Sequence, residues 1–145
     1  MRGLAKRAQT ALLAAIAAVL AAVLAGCGGV RAADLFLVTR TSTTPASHLT
    51  LVVDEEGGVT CNGNPRGKIS DSQLLVAGGI KEELQHAASE GQYLGPRAGS
   101  VYSYLLRDEN GTVRFSDNSA GTTKPMHELA LLVLQIAQQL CHVQQ

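Results

Sequence analysis

Tryptophan is absent, aromatic residues make up only 3% of the 145, and neither sign of charge is in excess, with 12 Lys plus Arg against 12 Asp plus Glu. That balance removes any compositional case for a nucleic-acid binder or a polyanionic segment. Catalytic signatures are missing as well. The chain contains no HExxH, CxxC, P-loop, GxSxG or Rossmann glycine pattern, so it names no reaction class, and neither a cofactor nor a metal is expected. A long hydrophobic run is also lacking: the stretch from Thr10 to Ala25 has about 16 residues, short of the roughly 20 that cross a bilayer comfortably. What remains is 46% apolar and long enough for one small domain.

The N-terminus is an address. Arg2, Lys6 and Arg7 precede the uncharged Ala/Leu/Val/Ile run, which is the layout of an export signal with a positive n-region and an apolar h-region. The run ends Leu24-Ala25-Gly26-Cys27, which resembles the bacterial lipobox. The resemblance implies cleavage before Cys27, acylation of its thiol (palmitate being a typical chain) and frequent acylation of the new amine. An ordinary secretory peptide and a retained anchor are the rival readings. Two or more chains are needed for stable attachment, since one gives only marginal, reversible binding. The expected division is a signal peptide over 1–26, a lipidated Cys and short tether over 27–34, and one domain over 35–143. Cys27 to Gln145 is 119 residues, with 9 basic and 12 acidic side chains, so the mature chain is mildly acidic. Residues 28–33 span at most about 20 Å when extended, which holds the domain close to the bilayer.

Within the domain, Leu35-Phe36-Leu37-Val38 followed by a Thr-rich run predicts a strand ending before Pro45. His48 to Val53 and Val59 to Asn62 predict a hairpin about the acidic, Gly-bearing turn 54–58. Asn62 to Gly67 reads as a turn-rich connection. A helix then follows, with Ser70 as cap, Gln73 closing a capping box, Ile69 and Leu74 forming a staple, and Leu74, Ala77, Ile80, Leu84, Ala87 and Ala88 at helical spacing. Gly78-Gly79 weakens that helix by about 2 kcal/mol relative to two alanines. Residues 89–99 read as the longest loop. Val101 to Arg107 and Thr112 to Ser116 form a second hairpin around Asn110-Gly111, and Pro125 opens a last helix with a broad apolar face. The expected fold is α+β, an antiparallel sheet of about five strands with two helices packed on one face.

With one cysteine assigned to lipid, Cys61 and Cys141 are the available internal pair in an exported chain; two buried free thiols are the rival reading. His48, His86, His127 and His142 are dispersed and read as surface or helix-end residues rather than a metal site. Asp117 with Glu128 is a conceivable acid/base pair, although a turn role and a helix N-terminal role explain each separately. Asp54-Glu55-Glu56 fits an exposed hairpin tip as well as a cation site. Tyr102 and Tyr104 share one side of a strand and read as packing. Tyr93, Leu94 and Arg97, in the glycine-bounded loop 91–99, are the candidate partner surface on anatomy.

Leu24-Ala25-Gly26-Cys27, the segment from Asp34 to Arg40, Cys61-Asn62-Gly63 and the segment from Val113 to Ser119 together resemble small exported lipoproteins of high-GC actinobacteria. The resemblance implies an envelope location and a stapled domain, and it carries over no catalytic residue. The expected protein is lipid-anchored on the extracytoplasmic face of the cell membrane and touches the bilayer through acylated Cys27. It serves as a non-enzymatic binding or organising module for an envelope protein, with no nucleic-acid partner. A protease inhibitor presenting Leu94-Gly95-Pro96-Arg97 from the 91–99 loop, and a small envelope hydrolase, are the alternatives.

Overall fold

The computed structural model describes residues 33–143. The expected signal peptide and Cys27 lie outside the described residues. The chain forms β1 (Asp34–Ser42), a 3₁₀ turn (Pro45–Ser47), β2 (Leu49–Asp54), β3 (Gly58–Cys61), β4 (Asn64–Lys68) and α1 (Asp71–Ser89). It continues through β5 (Tyr102–Arg107), β6 (Thr112–Ser116) and α2 (Lys124–Ile136), and ends in a π turn (Ala137–Cys141). The strands make one antiparallel sheet of six in the order β4-β3-β2-β1-β5-β6, so the fold is α+β as expected.

Register follows from alternation, because successive side chains of a strand face opposite sides. Val38 lies between Leu51 and Leu106, Leu51 is opposite Cys61, and Leu106 is opposite Val113, a row of buried residues crossing five strands on one face. Both helices supply the other half of this core, through Ala77, Ile80, Leu84 and Ala88 of α1 and Leu129, Leu132, Val133 and Ile136 of α2. The reverse face of the sheet, with Leu37, Thr39, Ser103, Leu105 and Arg114 at its outward positions, carries no helix among the described residues.

Local chemistry explains the element ends. Ser70 Oγ accepts the Gln73 N–H at 3.3 Å and Gln73 Oε1 accepts the Ser70 N–H at 3.1 Å, the reciprocal capping box read from the sequence. Asp54 Oδ1 organises the β2–β3 turn by accepting the Glu56 and Gly58 N–H groups at 2.9 and 2.7 Å. Asp108 Oδ1 does the same for Asn110 and Gly111 at 2.8 and 3.0 Å in the β5–β6 turn. Gly111, at φ +149°, lies directly against the Ala88 carbonyl at the end of α1, where a Cβ would collide.

Six strands rather than about five are present because Asn64–Lys68, read as a connection, is a strand. All five of its residues are exposed and it lies at the edge, so it shows no apolar alternation, and Pro65 is tolerated because an edge strand leaves one side unpaired. The last α-helix passes at Ala137 into the π turn that carries Cys141.

Candidate functional site

The 89–99 segment starts where α1 stops. Gly91 takes φ +63°, the left-handed conformation that reverses the chain, and Gln92 N–H donates to the Ala87 carbonyl at 2.9 Å. The chain then runs beside β6. Arg114 N–H donates to the Gln92 carbonyl and Leu94 N–H to the Arg114 carbonyl, both at 2.8 Å, a parallel bridge centred on Tyr93 and Arg114.

Of the three consecutive side chains that follow β6, two fasten the rest of the loop and the other holds the residues just after it. Ser119 Oγ donates to the Leu94 carbonyl at 3.0 Å. Asn118 accepts the Arg97 N–H at 3.0 Å through Oδ1, while its Nδ2 donates to the Arg97 and Ala98 carbonyls at 3.2 Å. Asp117 accepts from Ser100 Oγ at 2.8 Å and from the Val101 and Tyr102 N–H groups at 3.0 and 3.1 Å. Partial burial pushes the Asp117 carboxyl up, but hydrogen bonds from Ser100 and from the backbone of Tyr102, Val101 and Asn118 outweigh it and hold the group below the ordinary carboxylate value. Loop 91–99 is therefore a braced projection.

Between this loop and the helix-free face of the sheet lies an open groove of about 360 Å³, walled by Tyr93 and Pro96 and floored by Thr39, Ser103, Leu105 and Arg114. Tyr93 is 62% exposed, and the Arg114 guanidinium carbon is 5.9 Å from its ring centroid. Arg114 has no carboxylate partner among the described residues. On the opposite layer, Val76 and Leu131 line a second shallow groove between the helices and are 46% and 54% exposed.

The residues singled out from sequence separate clearly. Tyr93 stands in the first groove, Leu94 turns inward against the core, and Arg97 is exposed with its backbone held by Asn118. Cys61 and Cys141 have Sγ atoms 2.01 Å apart and Cα atoms 5.7 Å apart, joining β3 to the final turn. Tyr104 stacks on Phe115 with centroids 5.1 Å apart, and Tyr102 receives the Arg40 guanidinium on its face, so both tyrosines pack.

The structure does not bring Asp117 and Glu128 together. Glu128 pairs with Lys124 at 2.9 Å and lines the helix–helix groove, whereas Asp117 is consumed in holding Ser100, Val101 and Tyr102. Three of the four histidines have separate partners, Ser42 for His48, Glu90 for His86 and Thr122 for His127, and His142 stands apart, closing the π turn in a left-handed conformation. No group of three His, Cys, Asp or Glu residues is placed to hold a metal ion among the described residues. No helix among them is long and apolar enough to cross a membrane.

Sequence reasoning missed Arg114 and the Asp117-Asn118-Ser119 brace, which read as a strand residue and a polar stretch. Asn118 and Arg97 lie 21 residues apart, so only the fold makes them partners. No family model, curated protein or solved structure matches the chain.

Proposed function

We propose that this protein is a lipid-anchored extracytoplasmic lipoprotein, attached through acylated Cys27, that acts as a non-enzymatic binding module for a nearby envelope protein through the 91–99 loop. The observation that carries this reading is the bracing of the exposed 91–99 loop by Asn118 and Ser119, with Asp117 holding the residues just after it, Ser100 to Tyr102. Holding a surface loop in one conformation lowers the ordering entropy that binding would otherwise cost. Pairing of Cys61 with Cys141 is in keeping with an oxidising compartment, and the Leu24 to Cys27 quartet supports the anchor.

The test is intact-mass analysis and membrane fractionation of the full chain in an actinobacterial host, with in-cell crosslinking from position 97. Acyl mass on Cys27, loss of the membrane fraction in Cys27→Ser, and a crosslinked envelope protein whose yield falls on Tyr93→Ala are the expected results. A membrane fraction unchanged by Cys27→Ser would overturn the anchor, and a crosslinking pattern unaffected by loop substitutions would overturn the binding surface.

Protease inhibition is the second reading, favoured by the extended backbone at Gln92 to Leu94 and the support under Arg97. Titration of secreted proteases with the full chain separates it from the first. Stoichiometric inhibition relieved by substitution at Leu94 or Arg97 would establish it.

A further inference from the structure

The two edges of the sheet are finished differently. At one end, β4 is blunted by Pro65, by a register irregularity opposite Val59 and Thr60, and by the Lys68–Glu56 ion pair at 3.5 Å. At the other, β6 does not end the sheet, because Gln92 to Leu94 adds a short parallel segment to it. In a parallel bridge the central residue turns its own N–H and C=O away from the strand it pairs with. The Arg114 bonds go to Gln92 and Leu94, so the Tyr93 N–H and C=O face outward, and neither has a hydrogen-bond partner among the described residues. An exposed segment with free backbone groups of both kinds is a template for a further strand.

The flank of this edge carries a preference in charge. Tyr93 and Arg114 share the helix-free face and line one groove, with the guanidinium over the Tyr93 ring. No Asp or Glu occupies an outward position of β5 or β6, where Ser103, Leu105, Arg107, Thr112, Arg114 and Ser116 stand. The mature chain is acidic overall, so this corner is a local reversal of sign.

We propose that the Tyr93 edge receives an extended segment of the partner protein as an added β-strand, paired to the Tyr93 N–H and C=O, with an acidic side chain of that segment set against Arg114. This deepens the binding-module reading and rests on it. Main-chain pairing supplies the attachment, and the Arg114–carboxylate contact supplies selectivity and register. Pro96 lacks an N–H, so pairing ends there and the docked stretch is short.

A display library of random dodecapeptides, selected against the full chain in mild detergent, tests the proposal. Enriched peptides are expected to carry Asp or Glu, to slow exchange of the Tyr93 backbone amide at least about tenfold, and to weaken as salt is raised. Arg114→Glu should weaken them at least about tenfold, with binding restored when the peptide's acid is replaced by Lys. Tyr93→Pro, which deletes the N–H, should weaken binding at least about tenfold more than Tyr93→Ala, which keeps it.

Failure to enrich any peptide overturns the proposal. So do enriched peptides that leave Tyr93 exchange unchanged, and Tyr93 protection that depends on protein concentration without peptide, which would place a second copy on the edge. Exchange on the unsubstituted chain decides the matter even if Tyr93→Pro does not fold. A negative result alongside normal Cys27-dependent membrane attachment counts against the edge alone; peptide binding without acylation counts against the anchor alone.

Discussion

Arg40 occupies an inward position of β1, 1% exposed, with no ion-pair partner among the described residues. Its Nε and Nη2 both donate to the Ser47 carbonyl, at 3.1 and 3.0 Å, its guanidinium carbon lies over the Tyr102 ring, and Nη1 has no hydrogen-bond partner among the described residues. The two bonds to Ser47 tie the 3₁₀ turn back onto β1, the most direct reason the connection to β2 is held closed. Tyr104, across the register from Arg40, is pushed up from 10.0 to about 12, chiefly by burial, which the Arg40 charge only partly offsets. A raised folded-state value means the folded chain keeps the Tyr104 proton while the unfolded chain loses it. The stabilisation is complete below pH 10 and disappears as pH rises toward 12. Chemical denaturation should show stability falling by about 1–2 kcal/mol across that window, after allowance for solvent screening. Tyr104→Phe should flatten that part of the fall. Nothing in the pattern Leu-Val-Thr-Arg-Thr distinguishes a buried arginine from an exposed one, because its acceptor is a carbonyl seven residues away.

At the scale of elements, α1 shows how much a helix can be announced by its start and weakened in its middle. The Ser70–Gln73 box and the apolar spacing are legible because both depend on residues within one or two turns. Whether something packs over Gly78-Gly79 could be decided only by the neighbours, and among the described residues nothing beyond the adjoining residues and the helix's own backbone lies within 4 Å of where either Cβ would stand. The glycines therefore serve no close approach. Changing both to alanine should stabilise the protein by about 1–2 kcal/mol, read as a higher denaturation midpoint with an unchanged fold. Gly111→Ala should do the reverse, since its Cβ would strike the Ala88 carbonyl. Loop 91–99 was legible as a loop and as a surface, but its extended segment beside β6 was not. One bridge made of main-chain hydrogen bonds has no side-chain signature.

Across the whole molecule, the Cys61–Cys141 link ties the third strand to the last turn over a separation of 80 residues, so it closes most of the described chain into one loop. Reduction, or the double change Cys61→Ala and Cys141→Ala, should cost about 3–4.5 kcal/mol on the chain-entropy account. The loss should appear as a lower denaturation midpoint, with faster amide exchange concentrated in residues 137–143. Leu129, Leu132, Val133 and Ile136 would still hold α2 on the core, so a reduced but folded state is expected. The amino-acid sequence by itself determined the α+β class, both helices, both hairpin turns, the choice of Cys61 and Cys141, and the loop around Tyr93. Each of these rests on short-range periodicity, on turn chemistry or on there being few candidates of that residue type. Tertiary structure alone decided the sixth strand, the buried Arg40, the separation of Asp117 from Glu128, and the Asn118 brace that fixes the 91–99 loop. Those features depend on pairings between segments distant in sequence, where backbone hydrogen bonds and mutual burial choose the partner and local residue pattern is silent.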